Sequence, residues 1–140
     1  MSSSTEREAI LAEARSWIGT PWHHRQRVKG AGVDCINFII GVFHAVGLAP
    51  DIDPGEYPAD WHLHRDDERI LNGLARYAHR VDSPRPGDIA AYRFGRCVSH
   101  AAIVEDEHYI IHAYVVARAV VRTERSALAE RLHSYWSVLP

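Results

Sequence analysis

A cysteine and two distant histidines have the residue types and the spacing that nucleophilic catalysis requires. Cys35 follows Asp34 at the start of an apolar helical stretch, and His100 and His112 lie far downstream in strand-like segments. A thiol attacks as its thiolate, and the first turn of a helix favours negative charge through its dipole and its unpaired N–H groups. We therefore predict that Cys35 is a nucleophile with a lowered pKa, beside N–H groups that bind a developing oxyanion.

The two histidines are the candidate base and its orienting partner. In one register, a hairpin through the three-residue loop Glu105–Glu107 pairs Val104 with His108 and places His100 directly opposite His112. Opposed side chains lie about 5 Å apart at Cβ, close enough for one ring to orient the other. In this arrangement His100 is the base and acid, and His112 holds its tautomer, as Asp or Asn does in other triads. The loop lacks the glycine that such turns prefer, so the register stays open.

Each of these residues also has a purely structural interpretation. Free cysteine is among the most buried residue types, and a lone histidine in a strand is commonly a satisfied core side chain. The combination of a helix start with two histidines on separate strands is what favours catalysis. Cys97, three residues before His100, follows no predicted helix start and ranks below Cys35 as a nucleophile. A disulfide between the two cysteines is disfavoured in a chain without export signals.

Composition restricts the other function classes. The 140 residues are predicted to form one domain, 1–140, large enough for a hydrophobic core. A net charge of -2 gives no electrostatic case for binding nucleic acid, and no apolar run reaches the roughly 18 residues of a membrane span. Met1–Glu8 is polar, without the apolar segment of a secretory signal, so we expect synthesis in the cytoplasm.

Other histidines and aromatic residues admit two interpretations. The pairs His23–His24 and His62–His64 lack the spacing of zinc ligands, so we predict solvated loop histidines and neither a metal nor a cofactor. His24 and His62 lie in loops from which either one could line a substrate cleft. Tyr57 and Trp61 either pack their proline-rich loop down or present an aromatic wall to a glycan, and we favour packing.

Hydrophobic periodicity predicts helices first and strands afterwards. The first predicted helix ends at Gly19, the second runs from an Asp34 N-cap to Gly47, and the third begins at Asp66-Asp67. A short fourth helix is predicted over Ser126–Leu132, with Thr123 or Ser126 as its cap. The inward stripe of the second helix comprises Ile36, Ile39, Ile40, Phe43 and Val46. The predicted strands are Asp88–Phe94, Ser99–Glu105, Tyr109–Val116, Ala117–Thr123 and Ser134–Leu139. This order indicates an α+β domain with an antiparallel sheet.

Five sequence blocks in order resemble the NlpC-type cell-wall cysteine peptidases of the papain-like superfamily. The blocks are Gly19–Trp22, Gly32–Cys35, Arg85–Ile89, Ser99–Val104 and Ile111–Ala113. Each block alone is weak evidence for the family. The resemblance is specific because all five blocks occur in the family order over most of the chain.

The resemblance implies a papain-like fold, with the helix that begins at the catalytic cysteine packed on the C-terminal sheet. It implies Cys35 as nucleophile, His100 as base and His112 as third member of the triad. It also implies hydrolysis of amide bonds in peptidoglycan stem peptides, often beside a D-glutamyl or diaminopimelyl residue.

The stretch from Gly19 to Cys35, with His24 after Trp22, is similar to the phage-tail branch of that family. Proteins of this kind accompany tailed phages and gene transfer agents. The similarity implies phage-tail proteins as partners and delivery by a phage or phage-like particle, which suits a chain without a secretory signal.

Two positions depart from the family pattern close to the predicted nucleophile. Trp22 stands where many relatives carry Tyr, and Asn37 stands where many carry Gly. We expect Trp22, His24, Asp34 and Asn37 on the substrate-binding or oxyanion side of the cleft. Two alternatives follow: a tail module that keeps the fold without the chemistry, and an amidase or acyltransferase of the same superfamily.

Overall fold

The computed structural model describes residues 3–58 and 68–140. Its described helices are α1 (Ser3–Ser16), α2 (Cys35–Ala45), α3 (Arg69–Tyr77) and a 3₁₀ helix (Arg125–Arg131). Its described strands are β1 (Arg27–Val28), β2 (Gly32–Val33), β3 (His79–Val81), β4 (Ile89–Phe94), β5 (Cys97–Val104), β6 (Tyr109–Tyr114), β7 (Ala119–Glu124) and β8 (Leu132–Ser137).

A six-stranded antiparallel sheet carries the α-helices α1, α2 and α3 on one face. Its strand order is β3-β8-β4-β5-β6-β7, and β1 and β2 form a separate pair. Helix α2 packs on β5 and β6 and also contacts α1, so the main core lies between the helices and the sheet. A smaller apolar cluster that includes Tyr92, Val104 and Leu128 covers the opposite face. The predicted α+β fold, with N-terminal helices on a C-terminal antiparallel sheet, is confirmed.

Helix α2 is buried on most sides because it lies between α1 and the sheet. Phe38 and Val42 are fully buried, whereas Ile36 of the predicted inward stripe is only partly buried. Gly41 permits the contact with α1, since a Cβ there would lie 2.9 Å from the Trp17 ring. The apolar pattern therefore identified the helix, but it missed the residues that are most buried.

The loop between β5 and β6 is shifted by one residue from its predicted position. Glu105 N–H donates to the Tyr109 carbonyl at 2.9 Å, so the three loop residues are 106–108. The Asp106 side chain accepts from the N–H groups of His108 at 2.7 Å and Tyr109 at 2.9 Å. This Asx-type turn explains how the loop closes without a glycine.

The shifted loop changes how the two histidines meet. Val104 pairs with Ile110 rather than with His108, so the strands do not have the register considered from the sequence. Relative to that register, each residue of β5 pairs with the residue two positions further along β6. Every side chain therefore stays on its predicted face of the sheet, and His112 lies diagonally from His100 rather than directly opposite it. Among the described residues, β5 and β6 pair at only two positions, so the strands are unpaired where they carry the histidines.

The segment after α1 lies along the outer edge of β7. Gly19 N–H donates to the Val120 carbonyl at 2.9 Å, and Val120 N–H donates to the Thr20 carbonyl at 2.9 Å. Trp22 N–H donates to the Arg118 carbonyl at 2.8 Å. These bonds cover part of an edge strand and fix Trp22 near the start of α2.

Some predicted boundaries differ from the structure. The fourth helix is a 3₁₀ helix whose N-cap is Glu124, and neither Thr123 nor Ser126 is its cap. Strand β3 has no counterpart among the predicted strands. The predicted start of the third helix at Asp66-Asp67 and the residues Trp61, His62 and His64 lie outside the described ranges. None of the described helices is long and apolar enough to cross a membrane.

A buried ion pair ties α1 to the sheet. Arg7 Nη1 donates to Asp88 Oδ1 at 2.8 Å and to the Pro86 carbonyl at 3.0 Å, and both side chains of the pair are almost inaccessible. The other carboxylate oxygen of Asp88 accepts from Arg85 N–H at 2.8 Å. Removing the guanidinium would leave a buried carboxylate without its counter-charge.

We therefore expect Arg7→Leu to lower the free energy of unfolding by about 3–5 kcal/mol, measured by urea denaturation. Arg80→Leu, at an exposed position on β3, is the matched control and should change it by less than about 0.5 kcal/mol. Equal effects of the two substitutions would contradict a structural role for the Arg7–Asp88 pair.

Candidate active site

A cleft lies between the start of α2 and the unpaired ends of β5 and β6. The cleft has a volume of about 140 Å³, and Cys35 and His100 both line it. Trp22, His24 and Asp34, three of the other predicted site residues, line the same cleft. The structure therefore brings together residues that lie as far apart in sequence as Trp22 and His100.

The sulfur of Cys35 lies against the backbone on either side of His100. Its thiol donates to the Ser99 carbonyl at 3.6 Å, and the backbone of Ala101 acts to lower the pKa of the thiol. The N–H groups of Cys35 and Ile36, in the first turn of α2, act on the sulfur in the same way. The predicted helix-start position of the nucleophile and its nearby N–H donors are therefore present.

His100 and His112 form a hydrogen-bonded chain that ends on β7. His100 Nε2 lies 2.7 Å from His112 Nδ1, and His112 Nε2 lies 2.9 Å from Thr123 Oγ1. The diagonal placement of the two rings leads to this contact, with ring centroids 5.0 Å apart. His100 Nδ1 is the nitrogen that remains available to a nucleophile or leaving group.

Aromatic side chains surround the two imidazoles and fix their orientation. Tyr114 stacks on His112 with centroids 4.6 Å apart, and Phe94 contacts His100 edge-on at 5.7 Å. Tyr92, opposite His100 on β4, lies 6.0 Å from it. These rings exclude water and leave His112 fully buried.

This burial determines the protonation states of the site. Burial, and then the charge of the neighbouring Asp34, raise the pKa of the Cys35 thiol to about 12, and the backbone groups of Ala101, Ile36 and Cys35 oppose this rise only in part. Burial, and then the adjacent His112, hold the pKa of His100 well below its usual range. Burial lowers the pKa of His112 to about 4. The pKa of Cys35 is therefore raised rather than lowered as predicted, and burial favours the neutral forms of the thiol and of both imidazoles.

The Asp34 carboxylate is the N-cap of α2 and organises one wall of the cleft. It accepts from Asn37 N–H at 2.9 Å, as the predicted N-cap requires, and from Asn37 Nδ2 at 3.0 Å. Its other oxygen accepts from Arg25 N–H at 2.8 Å and from the Tyr57 hydroxyl at 2.5 Å. Both oxygens of this buried carboxylate are thus satisfied, one by donors of α2 and the other by donors of the segments that carry Arg25 and Tyr57.

The remaining predicted site residues separate into two groups. Trp22 and His24 stack at 6.4 Å along one wall of the cleft. Asn37 does not line this cleft in the described structure: its side chain is buried between Asp34 and Arg27, and it lines a separate polar hollow. Asn37 therefore supports the cleft wall from behind.

Two residues of the site were not among those predicted. Tyr57 was expected to pack its loop, and it does so, but its hydroxyl also binds Asp34 and its ring lines the cleft. Thr123 was considered only as a helix cap, although its position in an alternating strand puts it on the face of β7 that carries Val121, opposite His112. Strand alternation was the signal that could have revealed Thr123.

Cys97 and the remaining histidines form no second site in the described structure. Cys97 is completely buried against Tyr57 and Ile36, away from solvent. Among the described residues, no group of three or more His, Cys, Asp or Glu side chains is arranged to hold a metal ion.

The raised thiol pKa predicts how Cys35 reacts with iodoacetamide. Because only the thiolate reacts, the alkylation rate should rise about tenfold per pH unit from about pH 6 to about pH 9, without a plateau. Cys97→Ala should leave this profile unchanged, and Cys35→Ala should abolish this labelling. A rate independent of pH over that range would show a preformed thiolate–imidazolium pair instead.

Comparison with known proteins supports the fold. No protein-family model and no curated protein matches this chain. The NlpC/p60 domain of the peptidoglycan hydrolase SagA is 22% identical, over 94% of this chain and 97% of that domain, with a TM-score of 0.66. An NlpC/p60 family protein from Bacillus cereus is 18% identical, with a TM-score of 0.70, over 96% of this chain.

The peptidoglycan hydrolase RipB from Mycobacterium tuberculosis is 16% identical, over 99% of this chain and 67% of that one, with a TM-score of 0.63. The match covers only 40% of the Bacillus cereus protein, which is a longer chain. At these identities the likeness is one of fold, and the chain has the papain-like fold of NlpC/p60 domains.

Proposed function

We propose that this protein is a cysteine peptidase that hydrolyses amide bonds in peptidoglycan stem peptides. The observation that carries the proposal is one cleft in which Cys35 begins a helix beside His100, whose far nitrogen is hydrogen-bonded to His112. The fold supports the substrate class, since SagA and RipB share it and are described as peptidoglycan hydrolases.

The first chemical step forms an acyl-enzyme. The sulfur of Cys35 attacks the amide carbonyl carbon while the thiol proton moves to His100 Nδ1. The developing oxyanion is bound by N–H groups at the start of α2, which already face the sulfur. The carbon–nitrogen bond then breaks, and the proton on His100 passes to the nitrogen of the leaving amine.

The second step returns the enzyme to its resting state. Water attacks the thioester carbon, His100 accepts a proton from that water, and the sulfur leaves as it regains a proton. During both steps the imidazolium of His100 is stabilised through its Nε2–H, which donates to His112 Nδ1. No change in oxidation state occurs, so the cycle needs no redox cofactor.

The neutral resting pair makes His100 a general base rather than one half of an ion pair. A base with a pKa well below the usual range stays unprotonated in mildly acidic solution. The thiol with its raised pKa is a weak nucleophile until His100 removes its proton during the attack. Slow alkylation at neutral pH is therefore compatible with turnover, and it does not identify an inactive protein.

We further propose that the protein acts within a phage or phage-like particle during passage through the cell wall, with phage-tail proteins as partners. This setting is supported by the resemblance of the stretch from Gly19 to Cys35 to the phage-tail branch. The structure adds that Trp22 and His24 of this stretch stack beside the nucleophile, where they can contact substrate.

The test is digestion of purified peptidoglycan with identification of the products by mass spectrometry. The natural protein should release stem-peptide fragments, and Cys35→Ala should reduce release by at least about 10³-fold, the scale on which loss of a nucleophile acts. Cys97→Ala removes the other thiol and should retain activity. Turnover by Cys35→Ala would overturn the mechanism.

The products also separate the alternatives. Cleavage of the bond between glycan and peptide would identify an amidase, and transfer of the acyl group to an added amine would identify an acyltransferase. Absence of turnover by a folded natural protein, on peptidoglycan of several stem compositions, would identify a structural tail module.

A further inference from the structure

Both ring nitrogens of His112 form hydrogen bonds, and the bond to Thr123 is not part of the proposed triad of Cys35, His100 and His112. His112 Nδ1 faces His100, and His112 Nε2 lies 2.9 Å from the hydroxyl oxygen of Thr123. Thr123 belongs to β7, which pairs with β6 along its whole length, including the pair His112–Val121. The hydroxyl is thus held on a continuous ladder rather than on a mobile loop.

The direction of each hydrogen bond follows from the role of His100. A neutral His100 accepts the thiol proton at Nδ1 only if its own proton is on Nε2. That Nε2–H must donate to His112 Nδ1, which is then the unprotonated nitrogen of a neutral ring. His112 therefore carries its proton on Nε2, and Thr123 Oγ1 must accept it.

We propose that Thr123 is a positioning residue that fixes the tautomers of His112 and, through it, of His100. The chain of donors runs from His100 Nε2 to His112 Nδ1, and from His112 Nε2 to Thr123 Oγ1. Only this arrangement leaves His100 Nδ1 free to accept a proton from Cys35.

Without the Thr123 hydroxyl, the arrangement with the protons on Nδ1 of both histidines has the lower free energy. The Nε2–H of His112 would have no acceptor in a buried ring, whereas a proton on Nδ1 could donate to His100 Nε2. His100 would then carry its proton on Nδ1, directed at the cleft, and could not act as a base. Aromatic packing by Tyr114 and Phe94 holds both rings in place, so a ring flip does not restore the chain.

The direct test is nitrogen-15 NMR of histidine-labelled protein near neutral pH without substrate, where each tautomer has its own pattern of ring shifts. The natural protein should show a proton on Nε2 of both His100 and His112. Thr123→Val, which keeps the shape and removes the acceptor, should move both protons to Nδ1, and Thr123→Ser should restore the natural pattern. A proton on Nδ1 of His112 in the natural protein would overturn the proposal, even if the valine variant failed to fold.

Peptidoglycan digestion supplies a second readout, which rests on the proposed function. Thr123→Val should lower kcat by roughly tenfold to a hundredfold, the range in which outer partners of functional histidines act, with little change in KM. Thr123→Ser should recover most of the loss, and Ser126→Ala, at an exposed hydroxyl, should have no effect. Natural kcat in Thr123→Val would contradict the proposal, whereas correct tautomers without any turnover would contradict only the proposed function.

Discussion

The buried carboxylate of Asp34 is the interaction on which the site depends. It begins α2 at Cys35 by capping the helix through the Asn37 N–H, and it holds two other parts of the chain through Arg25 and Tyr57. A carboxylate with this many donors is stable without a counter-ion, because charged hydrogen bonds offset much of its lost hydration. The wall of the cleft and the position of the nucleophile therefore share one anchor.

The same carboxylate opposes easy activation of the thiol beside it. A helix start favours a thiolate, but burial and the negative charge at the N-cap both favour the protonated form. In the proposed mechanism, the driving force for proton transfer therefore comes from the histidines. Since His100 is neutral and oriented by His112, it can take the proton at the moment of attack.

The sequence predicted the helices, the strands and the residues that meet in the cleft better than the contacts between them. Cys35 at a capped helix start and the two histidines on alternating strands were predictable because caps and strand faces are local properties. The strand register was not, since the Asp106 side chain takes the place of a glycine in the turn. The thiol pKa was also unpredictable, because it depends on burial by residues distant in sequence.

Tyr57 and Asn37 illustrate the same limit. Their side chains meet at Asp34 through loops whose path is set by tertiary contacts, so neither role could be predicted from neighbouring residues. Thr123 was assigned to a cap because threonine commonly fills that position, yet its hydroxyl faces a histidine on the adjacent strand.

The most direct test of this account is to trap the covalent intermediate. Digestion of a purified stem peptide by the natural protein, quenched in acid within the first turnover and analysed by peptide mapping, should show the acyl part of the substrate bound to Cys35. The added mass should equal that of the substrate less the leaving amine. An acyl group on Cys97, or turnover without any acyl adduct under conditions that preserve thioesters, would contradict the account.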